Sequence, residues 1–153
     1  MNELEIEYFK EAIVAAKDEF YLDAIRLFEK LVNEFPDSDL ADDAFYDLGL
    51  CYFQMNQFEK GIESFMVVIN EYPDGTISVL NGGNEYGHTA AKAWLGIMNC
   101  YVGMNMIDKA RDTLTEMKQY EDSSYILTDE GEKISFYENA KIALDKFLNK
   151  KYE

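Results

Sequence analysis

The chain has 153 residues, enough for one domain with a substantial buried core. Its 48% hydrophobic and 14% aromatic content excludes a disordered chain. The formal charge of −16 disfavours nucleic acid as a partner and favours a basic or cationic one, besides keeping the chain in solution.

The amino terminus, Met1 to Glu7, is acidic where a secretory leader would be basic and then apolar, so a cytoplasmic protein is expected, or a periplasmic one if a leader has been removed. No apolar run approaches the roughly 18 residues of a membrane helix, and no membrane insertion is expected. The charge is concentrated at the front, with 5 basic and 18 acidic side chains in residues 1–76.

Residues 5–38 contain two apolar stripes at helical spacing, Tyr8 and Ala12 in the first and Ala24 and Phe28 in the second. A turn at Lys17–Phe20 separates them, and Pro36 ends the second. Residues 42–75 repeat the pattern, with Phe45, Leu48, Gly49 and Tyr52, a turn at Met55–Gln57, then Gly61, Phe65 and Pro73. The phrases Asn33-Glu-Phe-Pro-Asp37 and Asn70-Glu-Tyr-Pro-Asp74 bring the two copies into register.

Residues 76–89 fall outside the pattern and read as an inserted loop. It contains the short apolar run Ile77–Leu80, the turn-forming Asn81-Gly-Gly-Asn84 and the chain's single histidine, His88. The run is expected to fold back onto the helices or touch the binding face, and the loop is expected to be a contact loop or slack rather than an active site. Residues 91–124 give a third, degenerate copy, with Trp94, Ile97, Tyr101, Ala110 and Leu114 in place, Met98 at a position that is usually small and Asp122 where proline stood before. A last helix is expected over about 129–149, with a capping box in Asp129-Glu-Gly-Glu132 and an apolar side of Phe136, Tyr137, Ala140, Leu144, Phe147 and Leu148.

These spacings resemble the tetratricopeptide (TPR) repeat, and all seven signature positions are filled in residues 42–75. Phe35-Pro-Asp-Ser38, followed by Leu40-Ala-Asp-Asp-Ala44, is similar to the bacterial subgroup that contains the outer-membrane assembly lipoprotein BamD and the Tol–Pal coordinator. The resemblance implies an all-α fold, a right-handed superhelix of three TPR hairpins (about 5–38, 42–75 and 91–124) closed by the carboxy-terminal capping helix, as one domain over residues 1–153. It implies a non-enzymatic scaffold that binds a peptide or helical segment of another protein in its concave groove.

By the motif's inward positions, that groove presents Ile6, Phe9, Ile13 and Ala16, then Asp43, Tyr46, Leu50 and Phe53, then Lys92, Leu95, Asn99 and Val102. The partner-binding candidates are Phe9, Ile13, Tyr46, Leu50, Phe53, Leu95 and Asn99. The alternative is that the aromatic surface is buried by another copy of the chain, a homodimer, or is filled by the chain's own segments.

Other chemistry has little support. One histidine gives no His-based catalytic pair, and no phosphate-binding loop, dinucleotide fingerprint or calcium loop occurs, so no catalytic residue, cofactor or metal is expected. Cys51 and Cys100 occupy the same place in two repeats and are expected to be buried free thiols. Asp42 and Asp43 start a helix, where the macrodipole favours acids.

Overall fold

A computed structural model describes residues 1–78 and 83–151. Its helices are α1 (Glu3–Lys17), α2 (Tyr21–Glu34), α3 (Ala41–Gln54), α4 (Phe58–Glu71), α5 (Thr89–Gly103), α6 (Ile107–Met117) and α7 (Phe136–Lys151). Consecutive helices pack as antiparallel hairpins, and successive hairpins stack, so the fold is an all-α TPR superhelix.

The three hairpins turn in the same way. Glu19, Asn56 and Asn105 take φ of 65°, 60° and 59°, the left-handed region that lets a helix stop and reverse. The residue after each, Phe20, Gln57 or Met106, caps the following helix with nearly the same φ and ψ. The repeat legible in the side chains is thus present in the backbone.

The core runs along the stack in three joined clusters. Phe9, Phe28 and Leu31 fill the space between α1, α2 and α3. Phe65 of α4 is fully buried between α3 and α5, its ring so close to Gly49 and Gly96 that a Cβ at either would strike it. Met98, Met117 and Phe136 close the far end under α7. Cys51 and Cys100 are buried free thiols, as their repeat position implied, and burial pushes both up to about 12.

A small antiparallel sheet, unforeseen in the sequence, joins the inserted loop to the segment before α7. Its strands β1 (Glu85–Tyr86), β2 (Tyr125–Leu127) and β3 (Lys133–Ser135) lie in that order, with Glu85 opposite Ile126 and Tyr125 opposite Ser135. The expected start of the last helix near Asp129 is therefore corrected. Thr128 and Glu132 close a turn between β2 and β3, with the Thr128 N–H donating to the Glu132 carbonyl at 2.8 Å and Gly131 at φ 83°. Helix α7 starts at Phe136, where the Ser135 hydroxyl accepts from the Glu138 N–H at 3.0 Å.

The loop is pinned at several points. Asn84 exchanges bonds with Leu127, through its carbonyl at 2.8 Å and its side-chain amide at 3.0 Å. The Ile77 N–H donates to the Gly87 carbonyl at 2.9 Å, and Thr76 bridges to His88. Gly87, at φ 108°, is pressed against Ser123 and Ser124, where a side chain has no room. The expected contact of the Ile77–Leu80 run holds for Ile77, which packs with the α7 cluster; Val79, Leu80, Asn81 and Gly82 lie outside the described residues.

Candidate functional site

The concave faces of α1, α3 and α5 converge on a groove of about 390 Å³, walled on one side by Ile77, Ser78, Gly83 and Glu85 of the inserted loop. Four of the seven expected contact residues line it: Phe9, Ile13, Tyr46 and Leu50. Ala16, Asp43 and Lys92, also at inward positions, line it too. Ile13 and Leu50 are half-buried and offer apolar surface, whereas Phe9, 2% exposed, meets Phe28 edge-on and belongs mainly to the core.

The other three candidates lie elsewhere. Phe53 packs on Phe58 at 5.6 Å between ring centres, and Leu95 joins the cluster under α7. Asn99 is half-buried and does not line the groove. For Leu95 the physical reason is α7, which packs against α5 and α6; Phe53 is covered by Phe58 of its own hairpin.

The groove is more charged than its inward positions suggested. Asp43 and Asp47, one helical turn apart on α3, share it with Glu85 of β1 and Lys92 of α5. The Lys92 ammonium lies 3.0 Å from Glu85 Oε1 and 4.3 Å from the centre of the Tyr46 ring, which also meets Phe65 at 5.6 Å between ring centres.

Asp42 and Asp43, adjacent in sequence, have different surroundings. Asp42, 4% exposed, accepts the Thr89 hydroxyl at 2.6 Å and ties α3 to the start of α5; its carboxyl is held above the usual range by burial, with Thr89 opposing. Asp43, 5% exposed, accepts the Ser78 N–H on Oδ1 at 3.1 Å, and its Oδ2 has no hydrogen-bond partner among the described residues. Burial, and next the charge of Asp42, push Asp43 up to about 8, with Lys92 opposing. Asp47 is pushed to about 7 by burial, with Lys92 lowering it and Glu85 raising it. Burial, then Asp47, Glu85 and Asp43, move the Tyr46 phenol well above its ordinary range.

The acids at the start of α3 therefore do more than meet a helix dipole. The sequence signal was available: Asp43 and Asp47 are an i, i+4 pair of carboxylates with Asp43 at an inward position. Glu85 and Ile77 could not be placed from sequence, because the loop that carries them is fixed by a sheet to residues about 40 positions away.

His88 sits at the amino end of α5, its ring 5.8 Å from that of Tyr120 and its backbone N–H donating to Ser124 Oγ at 2.9 Å. It does not line the groove. Among the described residues, no group of three or more His, Cys, Asp or Glu is arranged to hold a metal ion, and no helix is long and apolar enough to cross a membrane.

Residues 43–75, the second hairpin, match the family model of the tetratricopeptide repeat. Among solved structures, the TPR domain of Sgt2 from Aspergillus fumigatus is similar, with a TM-score of 0.66 at 16% sequence identity, covering 99% of this chain and 82% of that one. At that identity the likeness establishes the fold. None of the curated protein sequences compared matches the chain.

Proposed function

We propose that the chain is a non-enzymatic interaction module that holds a segment of a partner protein in the groove between α1, α3 and α5. The TPR fold is typically a protein–protein interaction module, and a match over residues 43–75 supports that class. The observation that carries the reading is the groove itself: Ile13, Leu50 and Tyr46 give it an apolar floor, and the inserted loop gives it a wall. Apolar burial against such a floor is worth roughly 1.5–3 kcal/mol per side chain fully removed from water.

Ile13→Glu and Leu50→Glu are the direct tests, because both side chains are half-buried at the groove and neither belongs to the innermost core. Proteins captured by the immobilised chain from its native lysate should be lost with both variants, while far-UV circular dichroism is unchanged. Capture that survives in both variants sinks the groove as the binding site.

A second reading, self-association, draws on a different surface. Val14, Phe20 and Leu22 of the first hairpin stand 58%, 61% and 63% exposed. Sedimentation over a concentration range distinguishes the two readings: a dimer that Phe20→Glu dissolves supports self-association through this surface.

A further inference from the structure

We propose that the groove recognises a lysine or arginine side chain in the partner segment, its cationic head entering beside Asp43, Asp47 and Glu85 while apolar neighbours lie against Ile13 and Leu50. This rests on the interaction reading above and names the chemistry of the occupant.

The geometry points there in three ways. Asp43 lines the groove on a side chain 95% removed from solvent, and its buried Oδ2 has no partner among the described residues. A buried carboxylate oxygen left unpaired is costly, and a donor from outside would relieve that cost. Next, three carboxylates face one nearby ammonium, and that ammonium, Lys92, makes its close contact with Glu85. Finally, the groove is polar at this end and apolar at Ile13, Ala16 and Leu50, which suits a long side chain with an apolar stem and a charged tip. Its volume falls within the roughly 300–1,000 Å³ of ordinary ligand sites.

Charge complementarity selects a cation over an acid. An incoming carboxylate would meet Asp43, Asp47 and Glu85 with only Lys92, and Lys17 at the α1 side, in its favour. The other titratable groups facing the site are Tyr21 of α2, Tyr46 and Cys51 of α3 and, behind Asp43, Asp42. None of them supplies a further positive charge.

A consequence is proton release. Without a second cation, burial keeps protons on Asp43 and Asp47 near neutrality, at about 8 and about 7. A bound lysine or arginine favours the ionised forms, so those protons pass to the buffer as the complex forms, and affinity rises with pH by up to about tenfold per unit for each proton released.

The test is selection of a random-peptide display library on the full chain at about pH 8.5, followed by titration of the enriched peptides one by one. Enriched peptides should carry a lysine or arginine among apolar residues and bind at least tenfold more weakly at about pH 6. They should also lose at least tenfold when that residue becomes norleucine, and with Asp43→Asn. The asparagine keeps the Ser78 acceptor while removing the charge, and Asp47→Asn provides a second variant in case the first disturbs the fold. Uncharged peptides that bind Asp43→Asn as well as the parent, yet are lost with Leu50→Glu, would overturn the cation assignment and leave the groove reading standing. Peptides indifferent to all of these variants, or no enrichment, would overturn both. Free cadaverine binding as tightly as the peptides would overturn the assignment to a protein segment.

Discussion

Asp43 shows how one side chain can set a response of the folded state to pH. Its ordinary value of 3.8 applies to the unfolded chain, and the folded value is about 8. Between those values the folded state binds the extra proton, so this group's effect on stability becomes steadily less favourable as pH rises from about 4 to about 8. At lower pH the carboxyl is neutral in both states and has no effect; at higher pH it is charged in both and its burial penalty is complete. Asp43→Asn removes the penalty. The melting temperature of the variant relative to the parent should therefore rise from near zero difference at about pH 4 to a gain of several degrees at about pH 8, given roughly 2–4 °C per kcal/mol for a chain of this size. A constant difference across that range would show that Asp43 does not carry the burial penalty. Asp42, one residue earlier and as deeply buried, has the Thr89 hydroxyl on its carboxylate and is the structural member of the pair.

At the scale of the element, Phe65 acts as a wedge between two helices. Gly49 of α3 and Gly96 of α5 both face its ring, which lets the backbones of the second and third hairpins close around it. Gly→Ala in a helix interior ordinarily gains about 1 kcal/mol. Here Gly49→Ala or Gly96→Ala should lose about 1–3 kcal/mol by overpacking, measured by urea denaturation. Because both substitutions push the same ring, the double variant should fall short of the sum. A stabilised single variant would mean that the ring has room to move.

The same elements show what a sequence discloses. The hairpins were legible because their stripes recur, from Phe28 to Phe65 and from Tyr52 to Tyr101, and because prolines punctuate the first two copies. The strands were not. Two or three residues such as Glu85-Tyr86 or Lys133-Ile-Ser135 are too short to show alternation, and their partners are distant in the chain. The capping box at Asp129-Glu-Gly-Glu132 misled because a local preference for a helix start lost to a hairpin turn with Gly131 at positive φ. Of the site, the apolar floor was legible and the charged wall was not. Leu95 was misplaced because the motif cannot register the helix that comes to lie beside it, and Phe53 because its ring packs on Phe58 of its own hairpin.

Across the whole molecule, a stack of hairpins transmits little beyond nearest neighbours. The sheet is the exception, since it fastens the loop between the second and third hairpins to the segment before α7. Gly87→Ala should release that fastening, because a methyl group there meets Ser123 and Ser124 and favours a different φ. Hydrogen exchange should then speed up at the Ile77 and Leu127 amides, whose bonds bridge the loop, and remain unchanged within α1 and α2. Unaltered exchange at Ile77 and Leu127 would show that the loop holds its place without the glycine.

The sheet also gives the groove an order of assembly. Its floor comes from α1 and α3, within the first 54 residues, while Glu85 in its wall is paired to β2, beyond residue 124. A ribosome therefore delivers the apolar floor long before the strand that anchors the wall. A nascent or truncated chain ending before Tyr125 holds the floor without that anchor. The wall is anchored only in a chain extended past that point, so during synthesis Ile13 and Leu50 stand beside Asp43 and Asp47 before Glu85 is fixed near them.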